Sequence, residues 1–276
     1  MNESHLPSET HPLWIERLDR DFTEQKKGWV ALVDPDAVQN GGDLDWLQSA
    51  EPHSVFLGGS LVSEGDMART ASWVRERTSS PLVLFPGSPT QLTAEADALL
   101  FLSVISGRNP EGLIGAHVQA APSIRSLNLA PVPCGYMLID GGRPTAASYM
   151  SGTTPLPADK PDLAATTALA GYYLGLRCIY LDAGSGAEHA VDAEMIRAVR
   201  KAVPLPIIVG GGIRSVDAAL DAWSAGADLV VIGNALDASY SSNGYTYSYI
   251  WGDTVTENFY YPQAGRHFSV GLSYDF

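Results

Sequence analysis

The chain has 276 residues, 45% hydrophobic and 17% charged, a composition that rules out disordered, collagen-like and disulfide-scaffold classes. Seventeen Lys and Arg against 31 Asp and Glu give a formal charge of −14. That balance argues against nucleic acid as a partner, but it leaves room for a phosphate group held by backbone amides.

In chain order, residues 1–11 are polar and are expected to be a disordered N-terminus. They lack the apolar core of a secretory leader, and no run of eighteen apolar residues follows, so a cytoplasmic protein without stable membrane insertion is expected. Pro12–Lys27 reads as a helix with Trp14, Leu18 and Phe22 on one face. Eight apolar, β-rich runs come next: Trp29–Val33, Ser54–Leu57, Pro81–Phe85, Ala98–Leu102, Tyr136–Ile139, Arg177–Leu181, Leu205–Val209 and Asp228–Ile232. Helix-like segments separate most of them. Ser63–Arg77 and Asp162–Leu174 are two. Ala190–Val203 starts acidic and ends basic, and Ser215–Ala225 has a Ser cap and stops at Gly226. Near-continuous apolar strands alternating with helices predict a parallel sheet, and eight of them predict an α/β fold, a closed (β/α)8 TIM-type barrel spanning residues 12–237. Cys134 and Cys178 lie in apolar runs with no close partner and read as small buried hydrophobes in a reducing compartment.

Residues 238–276 differ from everything before them, being rich in aromatics, Ser, Asn and Gly. The barrel is therefore expected to lack its last helix and to carry an atypical β-rich tail. The final thirty residues, with alternating aromatics and a terminal Phe, resemble the last strands of an outer-membrane TonB-dependent receptor barrel.

Gly, Asp, Ser and Asn crowd after the strands, on the face where such a barrel carries its chemistry. Ala183-Gly184-Ser185-Gly186, Gly210-Gly211-Gly212 and Gly233-Asn234 follow strands six, seven and eight. Glycines let amides approach an anion closely, so these turns together read as a phosphate cup. Asp34 and Ser60 end strands one and two, and a carboxylate with a hydroxyl suits Mg²⁺, although each can equally close its own turn. Asp36 reads as a turn residue. Asp182 can accept a proton from a substrate hydroxyl or cap its own turn. Tyr180 is expected on the same face as Asp182.

The motifs Phe85-Pro-Gly-Ser88, Ile105-Ser-Gly-Arg-Asn-Pro110, Leu138-Ile-Asp-Gly-Gly-Arg-Pro-Thr145, Asp159-Lys-Pro-Asp162, Tyr180-Leu-Asp-Ala-Gly-Ser-Gly186 and Val209-Gly-Gly-Gly-Ile-Arg214 resemble the geranylgeranylglyceryl phosphate synthase family. The resemblance implies a Mg²⁺-dependent prenyltransferase that joins sn-glycerol 1-phosphate to a long-chain isoprenoid diphosphate. It also implies a homo-oligomer. Carried over, Asp34 and Ser60 match the Mg²⁺ positions. Tyr180, Leu181, Asp182, Ala183, Gly184, Ser185, Gly186, Gly211, Gly212, Gly233 and Asn234 match the glycerol phosphate site, with Asp182 and Tyr180 in catalytic positions. The family usually has Glu where this chain has Asp182, a reach shorter by over an ångström, enough to cost up to about a hundredfold in rate. The alternatives are a catalytically impaired barrel that only binds a phosphorylated ligand and another phosphate-binding isomerase. An isomerase or aldolase would need a Lys at a strand end, and none is evident.

Overall fold

In the computed structural model of the protein, the described residues are 13–38, 44–233, 244–251 and 253–260. Eight parallel strands close on themselves in sequence order: β1 (Gly28–Val33), β2 (Ser54–Leu57), β3 (Leu82–Leu84), β4 (Ala98–Val104), β5 (Pro131–Leu138), β6 (Cys178–Asp182), β7 (Ile207–Gly210) and β8 (Leu229–Ile232). Every strand is apolar on both faces because one face fills the barrel and the other meets helices. Val30, Phe56, Val83, Leu100, Cys134, Tyr180, Ile208 and Val231 fill the inside, while Ala31, Val55, Met137, Ile179 and Val230 pack outward.

The helices are α1 (Leu13–Thr23), α2 (Leu47–Ala50), α3 (Met67–Arg77), α4 (Ala116–Ser126, preceded by a π-helical turn, Glu111–Gly115), α5 (Ala146–Ser151), α6 (Pro161–Tyr173), α7 (Ala193–Ala202) and α8 (Val216–Ala225). Their starts follow local side-chain chemistry. Asp66, Asp192 and Ser215 each accept an amide of the first turn of α3, α7 and α8. The connection from β3 to β4 contains no helix. Helix α1 lies across the N-terminal end of the barrel and plugs it with Trp14, Ile15 and Leu18, all buried against the inner layer. Phe22 is only partly buried and lies under the Arg200 guanidinium.

Two expectations need amendment. Cys134 and Cys178 do have a close partner, each other. They sit opposite one another in the β5–β6 register, both free and fully buried, and burial pushes the Cys134 thiol well above its usual range. Strand β5 also begins five residues before Tyr136, at Pro131. Pro133 is tolerated there because β6 starts only opposite Cys134, so the missing amide falls outside the ladder. No helix follows β8 among the described residues. The tail instead forms an antiparallel hairpin, β9 (Gly244–Trp251) with β10 (Asp253–Tyr260), as its β-rich composition implied.

The plugged end holds a buried histidine. His53 Nε2 lies 3.3 Å from Asp21 Oδ2, off the hydrogen-bond direction. Burial, with Arg17 nearby, outweighs Asp21 and lowers the His53 pKa from 6.5 to about 4. The unfolded chain takes up this proton near pH 6.5, whereas the folded chain resists it until about pH 4. The stability His53 confers is therefore complete above pH 6.5 and declines as pH falls through that window, by up to about 1.4 kcal/mol per unit. Thermal melts from pH 8 to pH 5 are expected to show a falling Tm in the native chain and a flatter profile in His53→Gln.

Candidate active site

Strand parity decides which side chains reach the C-terminal mouth. On β6, Cys178, Tyr180 and Asp182 face inward, and Ile179, Leu181 and Ala183 join the outer core. Leu181 and Ala183 can therefore offer a ligand only backbone. Tyr180 is sealed one layer below the mouth at 1% exposure. Its ring stacks on Phe85 at 5.2 Å and meets Tyr136 edge-on at 5.4 Å, and Phe85 in turn contacts Phe56, so four aromatic rings make a floor.

Asp182 stands on that floor, buried, with both oxygens held. Oδ1 accepts from the Gly184 amide at 2.7 Å, and Oδ2 accepts from the Tyr136 hydroxyl at 2.5 Å. Burial raises the Asp182 pKa, and the bonds from Tyr136 and Gly184 pull the other way. Burial and then the Asp182 charge drive both tyrosine hydroxyls well above their usual range, so they stay protonated. The two readings of Asp182, turn cap and proton acceptor, are compatible, since each oxygen keeps a free lone pair. Sequence reasoning missed Tyr136. Its signal was parity in β5, where it pairs directly with Tyr180.

The glycine turns meet beside Asp182. Gly184, Gly186, Gly211 and Gly212 all have φ between +72° and +88°. A Cβ on Gly211 would lie 2.5 Å from the Gly184 nitrogen and 2.7 Å from Asp182 Oδ1, so the turns after β6 and β7 touch through bare backbone. The Gly184 amide is engaged by Asp182. The amides of Ser185, Gly186, Gly211 and Gly212 make no hydrogen bond among the described residues. Four unpaired donors on two adjacent strand tips form a cradle for an anion. Gly233 is exposed at the end of β8, near the Leu32 side chain, and Asn234 lies outside the described residues.

On the other side of the mouth, Asp34 is half-buried after β1, and burial raises its pKa. Oδ1 accepts the Asp36 amide at 3.0 Å. Among the described residues Oδ2 has no partner, and neither does the hydroxyl of half-buried Ser60. Gly59 leaves Oδ2 uncovered, because a Cβ there would sit 3.2 Å from it. A carboxylate and a hydroxyl oxygen, each with unused lone pairs, fit a hard cation that completes its shell with water or ligand phosphate. Among the described residues no three His, Cys, Asp or Glu side chains gather, so the protein would supply only one or two oxygens. Asp36 faces the neighbouring loop as a turn residue. Burial pushes it up, but the Ser63, Gly65 and Glu64 amides outweigh this and hold it at about 2. Lys160 and Arg143 are exposed, and Asp140 caps its own turn through the Gly142 amide.

The PcrB family model matches residues 20–247. A geranylgeranylglyceryl phosphate synthase of Spirosoma linguale is 50% identical over 215 residues, 77% of this chain and 86% of that protein. The enzyme of the same name from Pyrococcus furiosus is 37% identical over 231 residues, 82% of this chain and 91% of its own length. The crystal structure of (S)-3-O-geranylgeranylglyceryl phosphate synthase from Thermoplasma acidophilum, in complex with its substrate sn-glycerol-1-phosphate, superposes with a TM-score of 0.75 at 28% identity. It covers 82% of this chain and 92% of that one. The family match ends at residue 247 and lends no support to the outer-membrane receptor resemblance of the tail.

The two glycine turns can be separated by substitution. At Gly186 a Cβ meets nothing within 4 Å, so Gly186→Ala is expected to cost only the left-handed backbone penalty, about 1 kcal/mol. Gly211→Ala adds a clash with backbone to the same penalty and is expected to cost at least about 2 kcal/mol. Chemical denaturation of the two variants measures the difference.

Proposed function

The chain belongs to the PcrB family, and on that premise we propose how this barrel joins sn-glycerol 1-phosphate to an isoprenoid diphosphate. The activity is that of a prenyltransferase in ether-lipid synthesis, of the geranylgeranylglyceryl phosphate synthase type. The observation that carries the reading is the pairing of four unpaired amides with a buried carboxylate beside them. One binds a phosphate dianion and the other takes up the proton that the adjacent alcohol must lose.

In this reading the amides of Ser185, Gly186, Gly211 and Gly212 hold the glycerol phosphate, and Gly233 and Asn234 are assigned to the same site from the sequence motif alone. The cradle fixes the 3-hydroxyl over Asp182. The hydroxyl oxygen attacks C1 of the allylic chain, the bond from C1 to the diphosphate oxygen breaks with its electron pair leaving on diphosphate, and the proton passes to Asp182. Tyr136 and the Gly184 amide hold that carboxylate still while it does so. Tyr180 acts from below, as part of the floor. Asp34 and Ser60 would hold Mg²⁺, which, when bound, supplies neutralisation of the departing diphosphate.

The same proposal has the enzyme work in the cytoplasm as a homo-oligomer. No described helix is long and apolar enough to cross a membrane. Ile114, Val118, Tyr149, Tyr173 and Leu174, on the elements that follow β4 and β5, are all at least 60% exposed, an apolar surface that a second copy would cover.

Incubation with labelled sn-glycerol 1-phosphate, geranylgeranyl diphosphate and Mg²⁺ is expected to give butanol-soluble label. Binding of glycerol phosphate without product would mean that Asp182 serves only to hold its turn. The pH profile offers a sharper check. Asp182 must be ionised to accept the proton, and Tyr136 lowers its pKa. Tyr136→Phe is therefore expected to move the acidic limb of kcat to higher pH. An unmoved limb would remove Asp182 from the proton transfer.

A further inference from the structure

The turn that ends β1 carries a second carboxylate for which the reaction has no use. Asp36 Oδ1 accepts the amides of Ser63, Glu64 and Gly65 at 3.1, 3.0 and 2.6 Å. Oδ2 accepts the Ser63 amide and hydroxyl, each at 2.8 Å. Three successive amides of the β2–α3 loop thus converge on one side chain of the β1 turn. The two loops also touch directly, since a Cβ on Gly65 would lie 2.5 Å from both the Pro35 carbonyl carbon and the Pro35 Cβ. At the same time the Asp36 amide donates to Asp34 Oδ1. Residue 36 therefore grips Asp34 with its backbone, and with its side chain it grips the loop that begins at Ser60.

We propose that Asp36 is a positioning residue for the divalent cation, setting the spacing between the Asp34 carboxylate and the Ser60 hydroxyl by clamping their two loops together. The inference rests on the assignment of Asp34 and Ser60 as cation donors made above. Mg²⁺ demands near-ideal octahedral geometry, so a donor pair on two loops serves it only if the loops cannot slide. A carboxylate suits the clamp because all the donors aim at acceptors on both oxygens. Asparagine keeps one acceptor and turns an NH₂ group toward the Ser63 amide and hydroxyl.

The test uses the full chain with Asp36→Asn and Gly65→Ala, two routes to the same loosened contact. Three quantities are read: amide hydrogen exchange over residues 60–66, Mn²⁺ binding by electron paramagnetic resonance with inorganic diphosphate present, and steady-state kinetics against Mg²⁺. Both variants are expected to exchange faster in that loop. Their Mn²⁺ affinity and Mg²⁺ activation constant are expected to weaken by roughly tenfold or more, with the KM for sn-glycerol 1-phosphate unchanged and kcat largely recovered at high Mg²⁺. Should Asp36→Asn fail to fold, Gly65→Ala carries the same readouts. Faster loop exchange with native Mn²⁺ affinity would overturn the inference, and so would unaltered exchange. A native enzyme that binds no Mn²⁺ and turns over without a divalent ion would instead sink the Asp34–Ser60 assignment, and the role of Asp36 with it.

Discussion

The closure of β1 onto β8 is the contact on which the rest of the molecule depends. The Gly28 amide donates to the Asp228 carbonyl at 2.9 Å, and Val30 pairs with Val231. The seam is guarded from both sides. The Trp223 indole donates to the Gly28 carbonyl, and the buried Asp228 carboxylate accepts from Lys27, Arg200 and the Ile207 amide. A carboxylate stripped of water is tolerable only when it is paired and hydrogen-bonded, and here Lys27 just before β1, Arg200 of α7 and the Ile207 amide of β7 all donate to it. The seam leaves only two strands, β7 and β8, between β1 and β6 around the ring, so that Asp34 and Asp182 look into one opening. In an open sheet the same two residues would stand at the edge and in the interior, with nothing between them to act on.

Above the seam the barrel is layered by polarity. The plug of Trp14 and Leu18 packs with aliphatic side chains, thiols and the aromatic floor, whose Phe56 meets Trp14 edge-on at 5.9 Å, and charge enters only at the mouth. Asp182 is therefore the deepest charged group of the mouth. Its raised pKa and its two hydrogen bonds both follow from standing at the boundary between hydrocarbon and water.

Much of this could be read from the chain. The eight strands stood out because both faces of each are apolar, α7 because its charges follow the helix dipole, and the start of α8 because its Ser cap is local. Failures came where the deciding contact is distant or the pattern is broken. The segment Glu111–Ser126 reads poorly as a helix because Gly112, Gly115 and Pro122 interrupt it while Leu113, Ile114 and Val118 face solvent. Pro131 and Pro133 disguised the start of β5. Asp36 was legible as a turn residue, but its partners lie 27 to 29 residues away. Tyr136 and Asp182 are 46 apart. The glycine turns announced themselves by composition, whereas which amides stay unpaired is a property of the assembled mouth.

The cross-strand thiols give the molecule an internal reporter. The chain has two cysteines in all, and both face the sealed interior of the barrel from the neighbouring strands β5 and β6. A maleimide or iodoacetamide added to the native protein finds no sulfur to modify until those strands part. Fraying at the mouth or at the tail would leave the reagent unconsumed, so its uptake counts openings of the barrel itself and separates them from movements of the loops.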